Sequence, residues 1–181
     1  SFSMIFLAQK ALRKIAGRYT FVVVTDREDL DDQIYKNFVS TGAVTEPQVG
    51  DLGPQATSAR HLQELLRTDH RYVFTLIQKF RWPKGKTYPL LSPRNDIIVI
   101  VDEAHRTQYK DLAENMRAGL KNAQYLAFTG TPLLKADKAT SIETFGSFIH
   151  TYKFDEAVTD GVVLDLRYEA RNIDQDLTSP D

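Results

Sequence analysis

The chain has 181 residues, 42% of them hydrophobic and 26% charged, and 23 Lys+Arg against 24 Asp+Glu leave a formal net charge of -1. That size and balance suit one folded domain with a sizeable core and exclude a disordered segment, while the near-neutral charge excludes the broad basic surface of a stand-alone DNA-binding module. With no cysteine there is no disulfide framework or cysteine-ligated metal, and no apolar run approaches the ~20 residues of a membrane span.

In chain order, residues 1–16 read as a helix: Ile5, Ala8, Leu12 and Ile15 recur at helical spacing and Gly17 stops it. Its apolar start, 2–8, lacks a preceding basic region and a cleavage pattern, so no signal peptide is expected and the default location is cytoplasmic. Residues 19–25 form a strand that turns through Asp26-Arg27 into a helix from about Asp29, with Leu30, Ile34 and Phe38 on one face. Free amides at such a helix start favour an anion. The plainer reading is an Asp-capped helix with a solvated Arg27.

Residues 42–53 are loop-rich, with a short strand expected at Gln48-Val49; 57–66 reads as a helix capped by Thr57 or Ser58, and 72–76 as a strand. From 81 to 95 runs a connection carrying Pro83, Pro89 and Pro93 among Arg81, Trp82, Lys84, Lys86 and Tyr88. Basic and aromatic residues mixed on a loop can follow a nucleic-acid strand; a mobile solvated loop is the plainer expectation. Beyond it, 111–120 reads as a helix with Leu112, Met116 and Leu120, 125–128 as a strand, and 145–152 as a further short strand after a helix near Ser141. Residues 155–158 are helical, Asp160-Gly161 is a turn signal, 162–173 is rich in strand formers, and the polar tail 174–181 reads as a linker.

Two stretches carry chemistry. In the first, five β-branched residues, Ile97 to Val101, run into Asp102-Glu103-Ala104-His105. An unbroken apolar run is a strand buried on both faces of a parallel sheet, and ligands of open α/β sheets lie beyond the carboxyl ends of the strands. One carboxylate there can hold Mg²⁺, mostly through waters, and the next can orient or deprotonate a water attacking a phosphate. The alternative is an acidic turn with Asp102 capping a helix. In the second, Tyr125-Leu126-Ala127-Phe128 delivers Thr129-Gly130-Thr131-Pro132 to the same edge, with Gly supplying unusual backbone angles and Pro stopping continuation. Taken by itself this is an ordinary turn; one helix after the acid pair, it points to a nucleotide site.

Asp102-Glu103-Ala104-His105 followed by Thr129-Gly130-Thr131-Pro132 resembles motifs II and III of the DEAH-type helicase and translocase superfamily. Val24-Thr25-Asp26-Arg27-Glu28-Asp29-Leu30-Asp31-Asp32-Gln33, Phe74-Thr75-Leu76-Ile77-Gln78-Lys79-Phe80 and Glu156-Ala157-Val158-Thr159-Asp160-Gly161 narrow the resemblance to the motor of type I restriction enzyme R subunits. It covers almost the whole chain.

The resemblance implies an α/β, RecA-like P-loop NTPase motor domain, a mainly parallel sheet flanked by helices and truncated at the phosphate loop. Residues 1–152 are then the first motor domain without its phosphate-loop strand, and 153–181 a closing segment and linker toward a second. Ser1 fits the last position of a Gly-Lys-Ser/Thr signature, a nucleotide and metal ligand whose loop would lie just upstream; otherwise it is a cloning remnant. The implied cofactors are ATP and Mg²⁺, with Asp102 at the metal and Glu103 activating water. His105, Thr129, Gly130 and Thr131 couple the nucleotide state to motion, and Thr25, Arg27 and Lys79 contact DNA. The implied function is ATP-driven translocation on double-stranded DNA, with the modification and specificity subunits and the second motor domain as partners. The runners-up are another DEAH-type helicase or remodeller, and an interaction module that kept the fold without hydrolysis. In this fold the strand before Thr129 lies between the phosphate-loop strand and the strand before Asp102, so here one of its edges is expected to be open.

Overall fold

The computed structural model describes residues 2–45, 53–102, 110–130 and 146–166. They fall into two compact units, Ser1–Gly146 and Ser147–Asp181.

The first unit is an α/β layer structure. Helix α1 (Phe2–Lys14) leads into β1 (Thr20–Thr25), α2 (Glu28–Ser40), α3 (Ala59–Arg67), β2 (Tyr72–Leu76), a 3₁₀ turn (Ile77–Phe80), β3 (Ile97–Asp102), α4 (Lys110–Gly119) and β4 (Gln124–Phe128). All pairings are parallel and the strand order is β2-β1-β3-β4. Every strand therefore ends at one edge, and a parallel sheet needs both faces covered. Met4, Ile5 and Ala8 of α1 with Ile34 and Phe38 of α2 pack on Phe21, Val23, Phe74, Ile98 and Ile100. On the opposite face Leu62, Leu65 and Leu66 of α3 and Met116 of α4 meet Val22, Val24, Val73, Val99 and Val101. The β-branched runs are thus divided residue by residue between two cores.

Burial decreases across the sheet. All six residues of β1 are buried, whereas β4 at the margin has Gln124 and Ala127 exposed and the others half-buried. Among the described residues β4 pairs only with β3. At the other margin Gln55 bridges Phe74 in parallel, with Ala56 N donating to Phe74 O and Phe74 N to Pro54 O, both at 2.8 Å.

Several local expectations need correction. Helix α1 ends at Lys14 and leaves Ile15 exposed, Gly17 taking φ +143° beyond it. Arg27, in extended conformation, is the N-cap of α2 and its side chain makes no capping bond, so the helix is not Asp-capped. Helix α3 is capped as expected, by Ser58 of the two candidates, whose side chain accepts from His61 N at 3.1 Å. The connection 81–95 is not a solvated loop throughout: Tyr88, Leu91 and Ser92 are buried, and Leu91 N donates to Gly119 O at 2.9 Å. A Cβ at Gly119 would meet Tyr88 Cε1 at 2.8 Å and Leu91 Cγ at 2.9 Å, so only glycine lets this segment lie against α4. The fork of Arg94 binds both Asp96 oxygens, at 2.7 and 3.1 Å, and Thr20 Oγ1 at 2.9 Å, clipping the entry of β3 to that of β1. That guanidinium holds the Asp96 carboxyl below its ordinary range.

The second unit contains helix α5 (Phe154–Thr159), with Glu156 accepting from Lys153 N at 2.6 Å and Gly161 at φ +69° closing it. Residues 146–152 form no strand, against the expectation for 145–152, and the described part of the stretch rich in strand formers, 162–166, forms none either. Ile149, Leu164 and Leu166 are instead strongly exposed. The short strand expected at Gln48-Val49 and the helix near Ser141 lie outside the described residues.

Candidate nucleotide and nucleic-acid edge

The parallel sheet brings the described candidate residues Thr25, Arg27, Lys79, Asp102, Thr129 and Gly130 to its carboxyl edge. Asp102 is the last residue of β3, half-buried, and stands opposite Phe128 of β4. Thr129, the residue after Phe128, therefore leaves the sheet beside the end of β3. Thr129 and Gly130 are exposed. Among the described residues no atom lies within 4 Å of a Cβ built on Gly130, and its φ is not in the left-handed region, so neither their packing nor its φ requires glycine there. This corrects the expectation that the glycine supplies an unusual angle. Ser1, Glu103, His105 and Thr131 lie outside the described residues.

At the β1–β2 half of the same edge, Thr25 ends β1, Arg27 opens α2 and Lys79 sits in the 3₁₀ turn after β2. They differ in availability. Arg27 is exposed and Lys79 half-buried, its ammonium donating to Thr57 O at 2.8 Å. Thr25 is 1% exposed and its hydroxyl is directed inward, to Asp31 Oδ1 at 3.4 Å. Its contribution is therefore to fix the turn rather than to present a hydroxyl.

The residues that hold this turn were missed in the sequence. Asp31 is buried at the start of α2 and accepts from Gln55 Nε2 at 3.1 Å as well as from Thr25. Gln78 Nε2 donates to Asp26 O at 2.8 Å, tying the end of β2 to the end of β1, while Gln78 Oε1 is buried with no partner among the described residues. A signal for Asp31 existed: it lies three and seven residues before Ile34 and Phe38, a carboxylate on the apolar face of the helix.

Burial raises the Asp31 carboxyl from its ordinary 3.8, opposed by the Gln55 and Thr25 hydrogen bonds. A carboxyl raised on folding favours the folded state in its protonated form, so its contribution is complete below about 3.8 and is lost as pH climbs through the raised value. Asp31→Asn should therefore gain stability relative to the native chain as pH rises from about 4 to about 7. Urea unfolding of both proteins across that range measures the difference; a gap that does not move with pH would show that Asp31 is not the titrating group.

The fit to a divalent cation is that of a hard, sparse ligand set. Among the described residues no group of three or more His, Asp or Glu side chains could hold a metal alone. One strand-terminal carboxylate at an open edge suits Mg²⁺, which keeps most of its waters and binds through one or two carboxylates together with substrate phosphates.

A family model described as SWI2/SNF2 ATPase matches residues 1–181. The chain is 42% identical over 182 residues to a Methanocaldococcus jannaschii protein described as a type I restriction enzyme MjaIXP endonuclease subunit, covering 99% of this chain and 17% of that protein. It is 38% identical over 191 residues to the type I restriction enzyme HindI endonuclease subunit of Haemophilus influenzae, covering 96% of this chain and 18% of the relative. It is 31% identical over 170 residues to the SauCOLORF180P endonuclease subunit of Staphylococcus aureus, covering 90% and 17%. The chain thus spans under a fifth of the length of these relatives.

Proposed function

Because this chain belongs to the SWI2/SNF2 ATPase family, we propose that it is the first motor domain of a type I restriction enzyme R subunit, working as an ATP-driven translocase on double-stranded DNA. The observation that carries the reading is the juxtaposition at one sheet edge of Asp102, paired in register with Phe128, and the Thr129-Gly130 exit beside it. Similarity to type I restriction endonuclease subunits over nearly the whole chain supports the choice of system.

In this reading Asp102, and Ser1 with it, hold Mg²⁺, and Glu103 receives the proton of the attacking water. When bound, Mg²⁺-ATP would supply the phosphoanhydride, and the cation would offset the charge of its phosphates. Thr129, Gly130 and Thr131 carry no acid, base or metal ligand of the kind the hydrolysis needs, and His105 is assigned with them to coupling. The threonine hydroxyls are suited to hydrogen-bonding a neighbour such as His105 or the Glu103 carboxylate, and such a contact would couple the sites if nucleotide and DNA bias the same two-state element. Arg27 and Lys79 meet the DNA backbone, with Thr25 in the same turn. Residues 1–152 form the motor body and 153–181 lead to the second motor domain, and the partners are the modification and specificity subunits.

The test is made on the full-length protein. ATP hydrolysis should rise on addition of duplex DNA, and displacement of a third strand from a distant site should follow ATP consumption. Thr129→Ala with Thr131→Ala should reduce displacement several-fold more than hydrolysis. Hydrolysis indifferent to DNA would reject the motor reading, and equal loss of both activities would reject the coupling role.

A further inference from the structure

We propose that the excursion formed by residues 81–87 is a further contact for the phosphate backbone of duplex DNA, a proposal that rests on the reading of the chain as a DNA motor. From His70 to Asn95 the sequence holds six Lys and Arg residues and no Asp or Glu, in a chain whose net charge is -1. Arg81, Lys84 and Lys86 are all exposed, and among the described residues no carboxylate lies within ion-pair distance of any of them. A local run of unpartnered cations is the electrostatic pattern that a polyanion neutralises.

The excursion is also held in shape. It leaves at Phe80 and returns at Tyr88, both buried, with ring centroids 6.4 Å apart. Asn115 of α4 donates to Phe80 O at 2.9 Å, and Trp82 stands edge-on to Tyr88 at 5.5 Å. Within it Lys86 N donates to Pro83 O at 3.2 Å, with Gly85 at φ +77° supplying the backbone conformation that such a turn requires. A loop with its ends together and its turn closed presents cations at little cost in ordering. It starts directly after the 3₁₀ turn that carries Lys79, hence from the carboxyl edge shared with Arg27 and Asp102.

The chemistry favours duplex phosphates over single-stranded bases. Stacking on a strand needs an aromatic face free to receive a base, whereas Trp82 is only 39% exposed and engaged with Tyr88. Lys and Arg tips instead meet phosphate oxygens without reading sequence.

The experiment is binding of a fluorescent non-specific duplex by the full-length protein across a salt series, with ATP binding measured alongside. Combining Arg81→Ala, Lys84→Ala and Lys86→Ala should lower the slope of log affinity against log salt by about 2 to 3, at ~0.9 for each phosphate no longer neutralised, with ATP binding retained. Lys84→Arg with Lys86→Arg should keep the native slope, which a merely structural role for the loop would not predict. A native slope in the triple variant overturns the proposal while leaving the motor reading intact. Preferential binding of single strands, weakened most in Trp82→Ala, overturns it in favour of stacking. Failure of the unsubstituted protein to bind duplex overturns the motor reading and the excursion's role together.

Discussion

Glu103→Gln in the full-length protein should leave ATP bound and lower its hydrolysis by about 10²- to 10⁴-fold, the usual cost of losing a general base. The expectation rests on position. Strand β3 ends at Asp102, in register with Phe128 of β4, and Glu103 is the next residue in the sequence. Replacing a carboxylate by an amide of the same shape removes the proton acceptor and preserves the volume. Asp102→Asn should act differently, weakening the dependence of nucleotide binding on Mg²⁺, because its oxygen is assigned to the metal rather than to water. Nucleotide binding and single-turnover hydrolysis, measured on both variants, separate the two roles. Normal hydrolysis by Glu103→Gln would move the base elsewhere.

Elements whose partners are periodic in the sequence were legible. Strand β2 occupies Tyr72–Leu76 as expected, and the unbroken runs in β1 and β3 are buried on both faces. What failed depends on partners distant in sequence. Phe148, Ile149 and Tyr152 are strand formers by composition, but a strand exists only where another strand pairs with it, and 146–152 forms none. The burial of Tyr88 and Leu91 follows from the absence of a side chain at Gly119, some 30 residues away, which no local pattern announces. The site divides in the same way. Strand ends and chain order bring Asp102, Thr129, Arg27 and Lys79 to one edge. Which of the predicted residues faces solvent is a matter of packing, and the inward hydroxyl of Thr25 shows it.

Phe38→Ala should cost about 3 to 5 kcal/mol, the range for truncating a fully buried phenylalanine, against a total stability of ~5 to 15 kcal/mol for a domain. Its ring is fully buried and lies edge-on to both Tyr72 and Phe74, at 5.2 and 5.1 Å. Each such pair is worth ~0.5 to 1.5 kcal/mol beyond the area buried. Alanine would leave both rings of β2 facing a cavity. The Phe38 carbonyl also accepts from Ala43 N at 3.0 Å and Val44 N at 3.1 Å, so the turn that ends α2 depends on the same residue being held in place. Because α2 opens at Arg27, loosening the helix on the sheet should weaken duplex binding in proportion to the fraction unfolded and no further. Phe6→Ala is the matched control, since that ring is 62% exposed and surface truncations usually stay within ~0.5 kcal/mol. Urea midpoints of the two variants, with slopes compared to confirm two-state unfolding, decide the matter. Similar midpoints would mean that the Phe38 site collapses around the smaller side chain and that α2 is held chiefly by Ile34 and its polar start at Asp31.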